Sequence, residues 1–289
     1  MILTRRSLLS ILAAAAALGL SAPRTASAEF LVGLTTQNTV VRFDSAAPGS
    51  ILSSASITGL TAGDTLLGID FRPATNVLYG ASLNRVYTIN PLSGVATLAS
   101  TLSTAATGTA FGLDFNPVPD RMRLVSNTGQ NLRINVDTGA VTVDGSINPA
   151  GVTIVGSAYI NNFSGATSTT LYGIALGPDR LVIQNPPNNG TIVDVGPLGL
   201  PSGISSLVGF DVSGATGIAY AAFSSPTGGP STLYTINLAT GAATSLGTIG
   251  GGLALAGLAA PVPEPTALAL TGIGLAGIFG YNRRRRSRA

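Results

Sequence analysis

The sequence predicts an all-β fold made of one four-stranded unit repeated around a ring, and three observations carry that expectation. The stretch from Glu29 to Pro261 is rich in Thr, Ser, Gly and Val, set in short alternating runs between Gly, Asn and Pro punctuation. A phrase opening with glycine returns at Gly68, Gly112, Gly156, Gly209 and Gly257, at spacings of 44, 44, 53 and 48 residues. No amphipathic helical window of useful length interrupts the pattern.

Each unit opens on that phrase: Gly68-Ile69-Asp70-Phe71, Gly112-Leu113-Asp114-Phe115, Gly156-Ser157-Ala158-Tyr159, Gly209-Phe210-Asp211-Val212 and the degenerate Gly257-Leu258-Ala259-Ala260. A second short strand follows each full phrase, at Val77–Gly80, Met122–Val125, Leu171–Gly173 and Ile218–Tyr220. The third strands are Val86–Asn90, Leu132–Asn135, Leu181–Asn185 and Leu233–Asn237. Turns at Ser93-Gly94, Thr138-Gly139, Asn189-Gly190 and Thr240-Gly241 then lead to a fourth strand. Four strands in about 45 residues is the blade of a β-propeller.

The chain before Gly68 supplies only three strands, Phe30–Thr35, Thr39–Asp44 and Ile51–Thr58. The missing first strand stands at the other end, in Leu253–Ala260. The two ends therefore complete one blade between them, which closes the ring and removes an exposed sheet edge. The expected fold is an all-β propeller of about five four-stranded blades, over residues 29–261.

Both flanks read as address segments. Arg5 and Arg6 precede an apolar run from Leu8 to Leu20 and a small-residue site at Ala26, Ser27 and Ala28, so residues 1–28 read as an export signal with the mature chain starting near Glu29. Thr4-Arg5-Arg6-Ser7-Leu8-Leu9 resembles a twin-arginine signal, with Ser10 in place of the frequent Lys. Residues 262–289 combine Val262-Pro263-Glu264-Pro265, an apolar run from Ala267 to Tyr281 and a cluster of Arg283, Arg284, Arg285, Arg286 and Arg288. This resembles a PEP-CTERM sorting tail, which implies recognition by an exosortase of a Gram-negative bacterium that makes exopolysaccharide. As a helix the apolar run spans about 22 Å, short of the 20 or so residues of a stable membrane span, which suits a transient inner-membrane anchor. The arginine cluster stops the run with its end cytoplasmic and the body outside. An anchor that is never cut is the alternative.

Composition excludes much chemistry. The chain has no Cys, His, Trp or Lys, and only 9% of its 289 residues are charged. It has no thiolate or imidazole nucleophile, no zinc site, no disulfide, no Schiff-base lysine and no P-loop lysine. The formal charge of +3 comes from the flanks, since seven Arg between residues 25 and 282 face all twelve acids. The body is mildly acidic, so no nucleic acid is expected as a partner.

The phrases also resemble the DUF4394 family of bacterial extracellular domains. The resemblance rests on residues 68–73, Asp114-Phe115-Asn116-Pro117 with Asp120-Arg121, Ser126–Arg133, Val182–Pro187 and Leu233–Thr244. It implies the same propeller body and brings no assigned chemistry with it.

The candidate metal residues are Asp70, Asp114 and Asp211, which fill the same place in three of the five units. Three carboxylates around an axis suit calcium, an oxygen-seeking cation. The favoured reading is structural: each carboxylate binds nearby backbone N–H groups or an arginine such as Arg72, Arg121 or Arg123. Asn127, Gln130, Asn131 and Arg133 form a second candidate, able to read a sugar or a peptide, although Asn-Thr-Gly is also an ordinary turn. Asn185–Gly190 reads as a rigid turn first and a binding loop second.

No catalytic residue is assigned. The glycosidase pair of carboxylates is missing from the local spacing, a serine hydrolase would lack its histidine, and Gly203-Ile204-Ser205-Ser206 is not a nucleophile elbow. The leading reading is an exported, non-enzymatic propeller, sorted by an exosortase to the cell surface or matrix, that binds polysaccharide or protein without a cofactor. The alternatives are a calcium-dependent hydrolase-type propeller and a purely structural matrix protein.

Overall fold

The computed structural model describes residues 28–263, and within them the expected ring is present: five antiparallel sheets of four strands each. Blade 1 is completed by both ends, in the order β20 (Leu255–Ala259), β1 (Phe30–Thr35), β2 (Thr39–Asp44) and β3 (Ala47–Ser56). Blade 2 holds β4 (Gly68–Arg72), β5 (Val77–Ala81), β6 (Arg85–Ile89) and β7 (Ala96–Thr101). Blade 3 holds β8 (Phe111–Asn116), β9 (Arg121–Ser126), β10 (Asn131–Ile134) and β11 (Val141–Val143). Blade 4 holds β12 (Thr153–Tyr159), β13 (Leu171–Leu176), β14 (Arg180–Gln184) and β15 (Ile192–Pro197). Blade 5 holds β16 (Val208–Val212), β17 (Ala219–Phe223), β18 (Thr232–Ile236) and β19 (Ala243–Thr248).

The glycine phrase forms the inner strand of every blade. Closure is direct: β20 pairs with β1 through Val32–Ala259, Gly33–Leu258 and Leu34–Gly257. The turns before the fourth strands put Gly94, Gly139, Gly190 and Gly241 at φ of 72°, 75°, 71° and 84°, the left-handed region where a side chain is strained. Several boundaries differ from expectation: β13 and β17 each run three residues further, to Leu176 and Phe223, and most other second and third strands shift by one residue, while two larger shifts have a local cause. β3 begins at Ala47, because Asp44 Oδ1 accepts the Ala46 N–H and tightens the turn ahead of it. β20 begins at Leu255, because the short 3₁₀ turn Ile249–Gly251 draws the Leu253 N–H back to the Ile249 carbonyl.

Apolar residues gather at the seams rather than in one central core. Ile69, Leu78 and Tyr87 meet Val32, Leu34 and Val40 between blades 2 and 1. Phe210, Ala221 and Phe223 meet Val155, Ile174 and Leu181 between blades 5 and 4. The seam between blades 3 and 4 has a smaller apolar cluster around Val125, Ile154 and Val182. A polar one accompanies it: fully buried Arg123 donates to Asp144, Asn131, Asn188 and the Tyr159 hydroxyl.

The export signal with Arg5, Arg6 and Ala26 lies outside the described residues, as do Glu264, Pro265 and the Arg283–Arg286 cluster. The expected span from Ala267 to Tyr281 lies there too. No helix among the described residues is long and apolar enough to cross a membrane.

Candidate functional site

The ring axis is built from the alternation within each inner strand. In β4, β8 and β16, Ile69, Leu113 and Phe210 turn into apolar seams, which sends Asp70, Asp114 and Asp211 to the opposite sheet face, toward the next blade. Closing the circle brings the three together: one carboxylate oxygen from each lies within 4.8 Å of the others. All three are buried, at 1%, 0% and 1% exposure.

Their partners are unequal. Asp70 accepts the Phe71 N–H at 2.6 Å and, from the next blade, the Phe115 N–H at 2.8 Å. Asp211 repeats this with the N–H groups of Val212 and Ala260, both at 2.6 Å. These bonds occupy donors that an inner-strand edge would otherwise leave facing the axis. Asp114 departs from the pattern. The matching Tyr159 N–H lowers its pKa without making a hydrogen bond of normal geometry, its carboxyl lies against that of Asp211, and neither oxygen has a hydrogen-bond donor.

Burial is the main reason that all three carboxyls sit above the ordinary range. It pushes Asp211 up to about 7. Asp70 is raised well above by burial and by the charge of Asp211, and Asp114 by burial and by the charges of Asp70 and Asp211. Expected arginine partners do not take part: among the described residues no arginine forms an ion pair with any of the three. Arg72 instead crosses to blade 3 and clamps Asp120 and Asp137, Arg121 donates to the carbonyls of Pro119 and Asp120, and Arg123 binds Asp144. The structure thus gives the backbone part of the structural reading and the convergence of the metal reading, without the arginine part.

Two residues up each strand, about 7 Å away along the axis, glycines narrow the channel. A Cβ added to Gly209 would lie 2.8 Å from the Gly257 carbonyl carbon, and one on Gly68 would lie 3.0 Å from Leu113 Cβ. Free space at this level is about 10 Å³, enough for one water. Beyond the constriction the channel widens to a mouth of about 220 Å³, whose lining includes Thr36, Thr65, Thr109 and Ser206 with Phe111 and Leu207. Thr65, Thr109 and Ser206 each stand three residues before the inner-strand glycine, a recurrence the sequence reading missed.

Strand direction fixes the two faces. β20 runs from Ala256 at the mouth to Ala259, and antiparallel β1 starts at Phe30 beside that far end. Both described chain ends therefore lie on the face opposite the mouth. A larger groove of about 460 Å³ occurs there, lined by exposed Phe30 and Leu92 with Pro261 and Val262.

The second polar candidate is spent internally. Asn127 Oδ1 accepts the Thr109 N–H, Gln130 bonds Thr107 and Ala105, Asn131 bonds Arg123 and the carbonyls of Gly145 and Pro187, and Arg133 pairs with Asp144. Its residues brace loops and a seam. Asn185–Gly190 is likewise a turn that holds blades 3 and 4 together through Asn188. Glu29, the expected start of the mature chain, is buried and accepts from the hydroxyls of Ser213, Thr216 and Tyr220 at 2.6, 2.8 and 3.0 Å. Its place directly after Ala26-Ser27-Ala28, at the start of the strand that closes the ring, was the available signal.

No match is found among curated proteins. A solved structure of a structural genomics protein of unknown function from Bacteroides thetaiotaomicron is similar at 15% identity, with a TM-score of 0.45 over 76% of this chain. This chain spans 58% of the length of that one. The PEP-CTERM protein-sorting motif matches residues 261–286 and supports an exported, exosortase-sorted protein. The domain of unknown function DUF4394 matches residues 39–259, which is nearly all of the propeller, and the chain belongs to that family.

Proposed function

We propose that the protein is a non-enzymatic binding propeller, delivered to the cell surface or matrix after transient anchoring in the inner membrane, that uses its mouth to hold exopolysaccharide. The observation that carries the reading is the placement of a hydroxyl-lined mouth on the face opposite both described chain ends. A body held by its C-terminal tail would turn that mouth away from the membrane. At about 220 Å³ the mouth is below the roughly 300–1,000 Å³ of sites for drug-sized ligands, a size suited to a single sugar residue or a chain end. Threonine and serine hydroxyls beside Phe111 and Leu207 suit a sugar, which offers hydroxyl edges and an apolar ring face.

The hydrolase alternative is favoured by one observation, the convergence of the carboxylates. Against it stands the glycine constriction, which separates them from the mouth by a gap no sugar passes. The test is saturable binding of the exported protein to polysaccharide from its own cells, compared with the Ser206→Trp and Leu92→Trp variants. Filling the mouth at Ser206 abolishes binding, while Leu92→Trp on the opposite face leaves it intact. Equal loss in both variants, or no saturable binding by the parent, contradicts the reading.

A further inference from the structure

We propose that Asp70, Asp114 and Asp211 hold one hard divalent cation, calcium or magnesium, on the axis of the ring. The inference is independent of what the mouth binds. Oxygens within 4.8 Å of one another are a span that a calcium ion bridges with ligand distances of about 2.3–2.6 Å. The donor set is oxygen only, in a chain with no His and no Cys, which selects a hard cation over zinc or copper.

Asp114 makes the argument more than a count of acids. Asp70 and Asp211 each occupy two backbone N–H groups, so the fold accounts for them. Asp114 makes no backbone hydrogen bond of normal geometry, is 0% exposed, and has both oxygens buried without a donor, one of them within 4.8 Å of an oxygen from each neighbour. Nor does a blade require a carboxylate there, since Ala158 and Ala259 fill the same place in blades 4 and 1. An ionised carboxylate buried without a donor is strongly unfavourable, and a second and third beside it compound the cost. No arginine supplies the missing charge: Arg72 is spent on Asp120 and Asp137, and Arg123 on Asp144. A cation on the axis answers all of these at once, and the glycine level above it, with room for one water, would make its exchange slow.

The competing account is a set of shared protons, and the experiment separates the two. The full chain is purified, its metal content is measured, and its thermal midpoint near neutral pH is followed after chelation and again with calcium alone or magnesium alone. The expected result is one metal ion per chain as purified, a midpoint that falls on chelation, and recovery with at least one of the two ions. Asp114→Ala, which copies the protein's own Ala158 and Ala259, keeps the fold and loses at least tenfold in cation affinity. Asp114→Asn serves the same purpose should the alanine variant fail to fold. Asp194→Asn on the outer surface keeps the full response. A protein without stoichiometric metal whose midpoint ignores both ions overturns the proposal, as does an undiminished response in Asp114→Ala or Asp114→Asn.

Discussion

Asp211 Oδ2 accepts the Ala260 N–H at 2.6 Å, so a side chain of the last complete blade binds the inner edge of the strand that closes the ring. Asp70 does the same for Phe115 in the next blade around. Asp114, at the equivalent place, has no such bond. One repeat position therefore does two kinds of work, stitching at two seams and something else at the third.

This difference separates two variants. In chelator, Asp211→Ala leaves the N–H groups of Val212 and Ala260 without acceptors, at a cost of about 1–3 kcal/mol for each buried donor. Asp114→Ala removes no hydrogen bond of normal geometry and relieves crowding among the carboxyls, so its loss of metal-free stability is smaller than that of Asp211→Ala. Urea midpoints of the two variants check this, and equal losses would contradict the assignment of roles.

The acidity of the cluster carries a pH signature with a definite sign. In the unfolded chain these carboxyls ionise near pH 3.9, while burial raises all three in the fold, Asp211 to about 7. Between those values the folded state keeps protons the unfolded state has released, so metal-free stability falls as pH rises from about 4 to about 7. Asp144 acts the other way. Burial alone would raise it, but hydrogen bonds from Arg133 and Arg123 outweigh that and hold it low, so its contribution is present above about pH 3.9 and lost as pH falls. Denaturant midpoints across this range in chelator show the decline, and excess calcium flattens its upper part. A flat profile in chelator contradicts the account.

Arg123 and Arg180 make a paired prediction about seams. Arg123 is 1% exposed and joins Asp144, Asn131, Asn188 and Tyr159, so Arg123→Ala breaks a buried network and costs about 3–5 kcal/mol. Arg180 pairs with Asp194 at the surface, where solvent screens the pair, and Arg180→Ala leaves the denaturation midpoint nearly unchanged. Chemical denaturation of both variants provides the comparison.

Glu29→Ala removes the acceptor for three hydroxyls at the seam between blades 1 and 5. Hydrogen bonds to a charged group contribute about 1.5–3 kcal/mol each, with shared losses for a common acceptor, so a cost of about 3 kcal/mol is expected. Thermal unfolding of the exported protein measures it. A loss below about 0.5 kcal/mol, the range of a surface change, would mean the ring closes without Glu29.

The ring was legible because its rules are local: Gly-x-Asp at Gly68, Gly112 and Gly209, alternation after it, and a Gly turn before each outer strand. The place of Asp70, Asp114 and Asp211 on one sheet face was legible for the same reason. Their convergence was not, because it depends on how tightly five inner strands close, and no spacing encodes that radius. Arginine partners could not be ranked either. Arg72 stands two residues from Asp70 on the same strand, yet its long side chain reaches Asp120 and Asp137, 48 and 65 residues away. The mouth was readable in principle, since Thr65, Thr109 and Ser206 all precede the glycine by three residues, but a hydroxyl in a Thr-rich chain gives little contrast.

The claim that a surface-delivered propeller turns its mouth outward is tested most directly by labelling intact cells. The chain contains no cysteine, so Thr65→Cys puts a single thiol at the exposed rim of the mouth. A membrane-impermeant maleimide should label it on intact cells, and exopolysaccharide added first should protect it. A thiol that reacts only after the cells are broken, or that reacts equally with and without the polysaccharide, would contradict the claim.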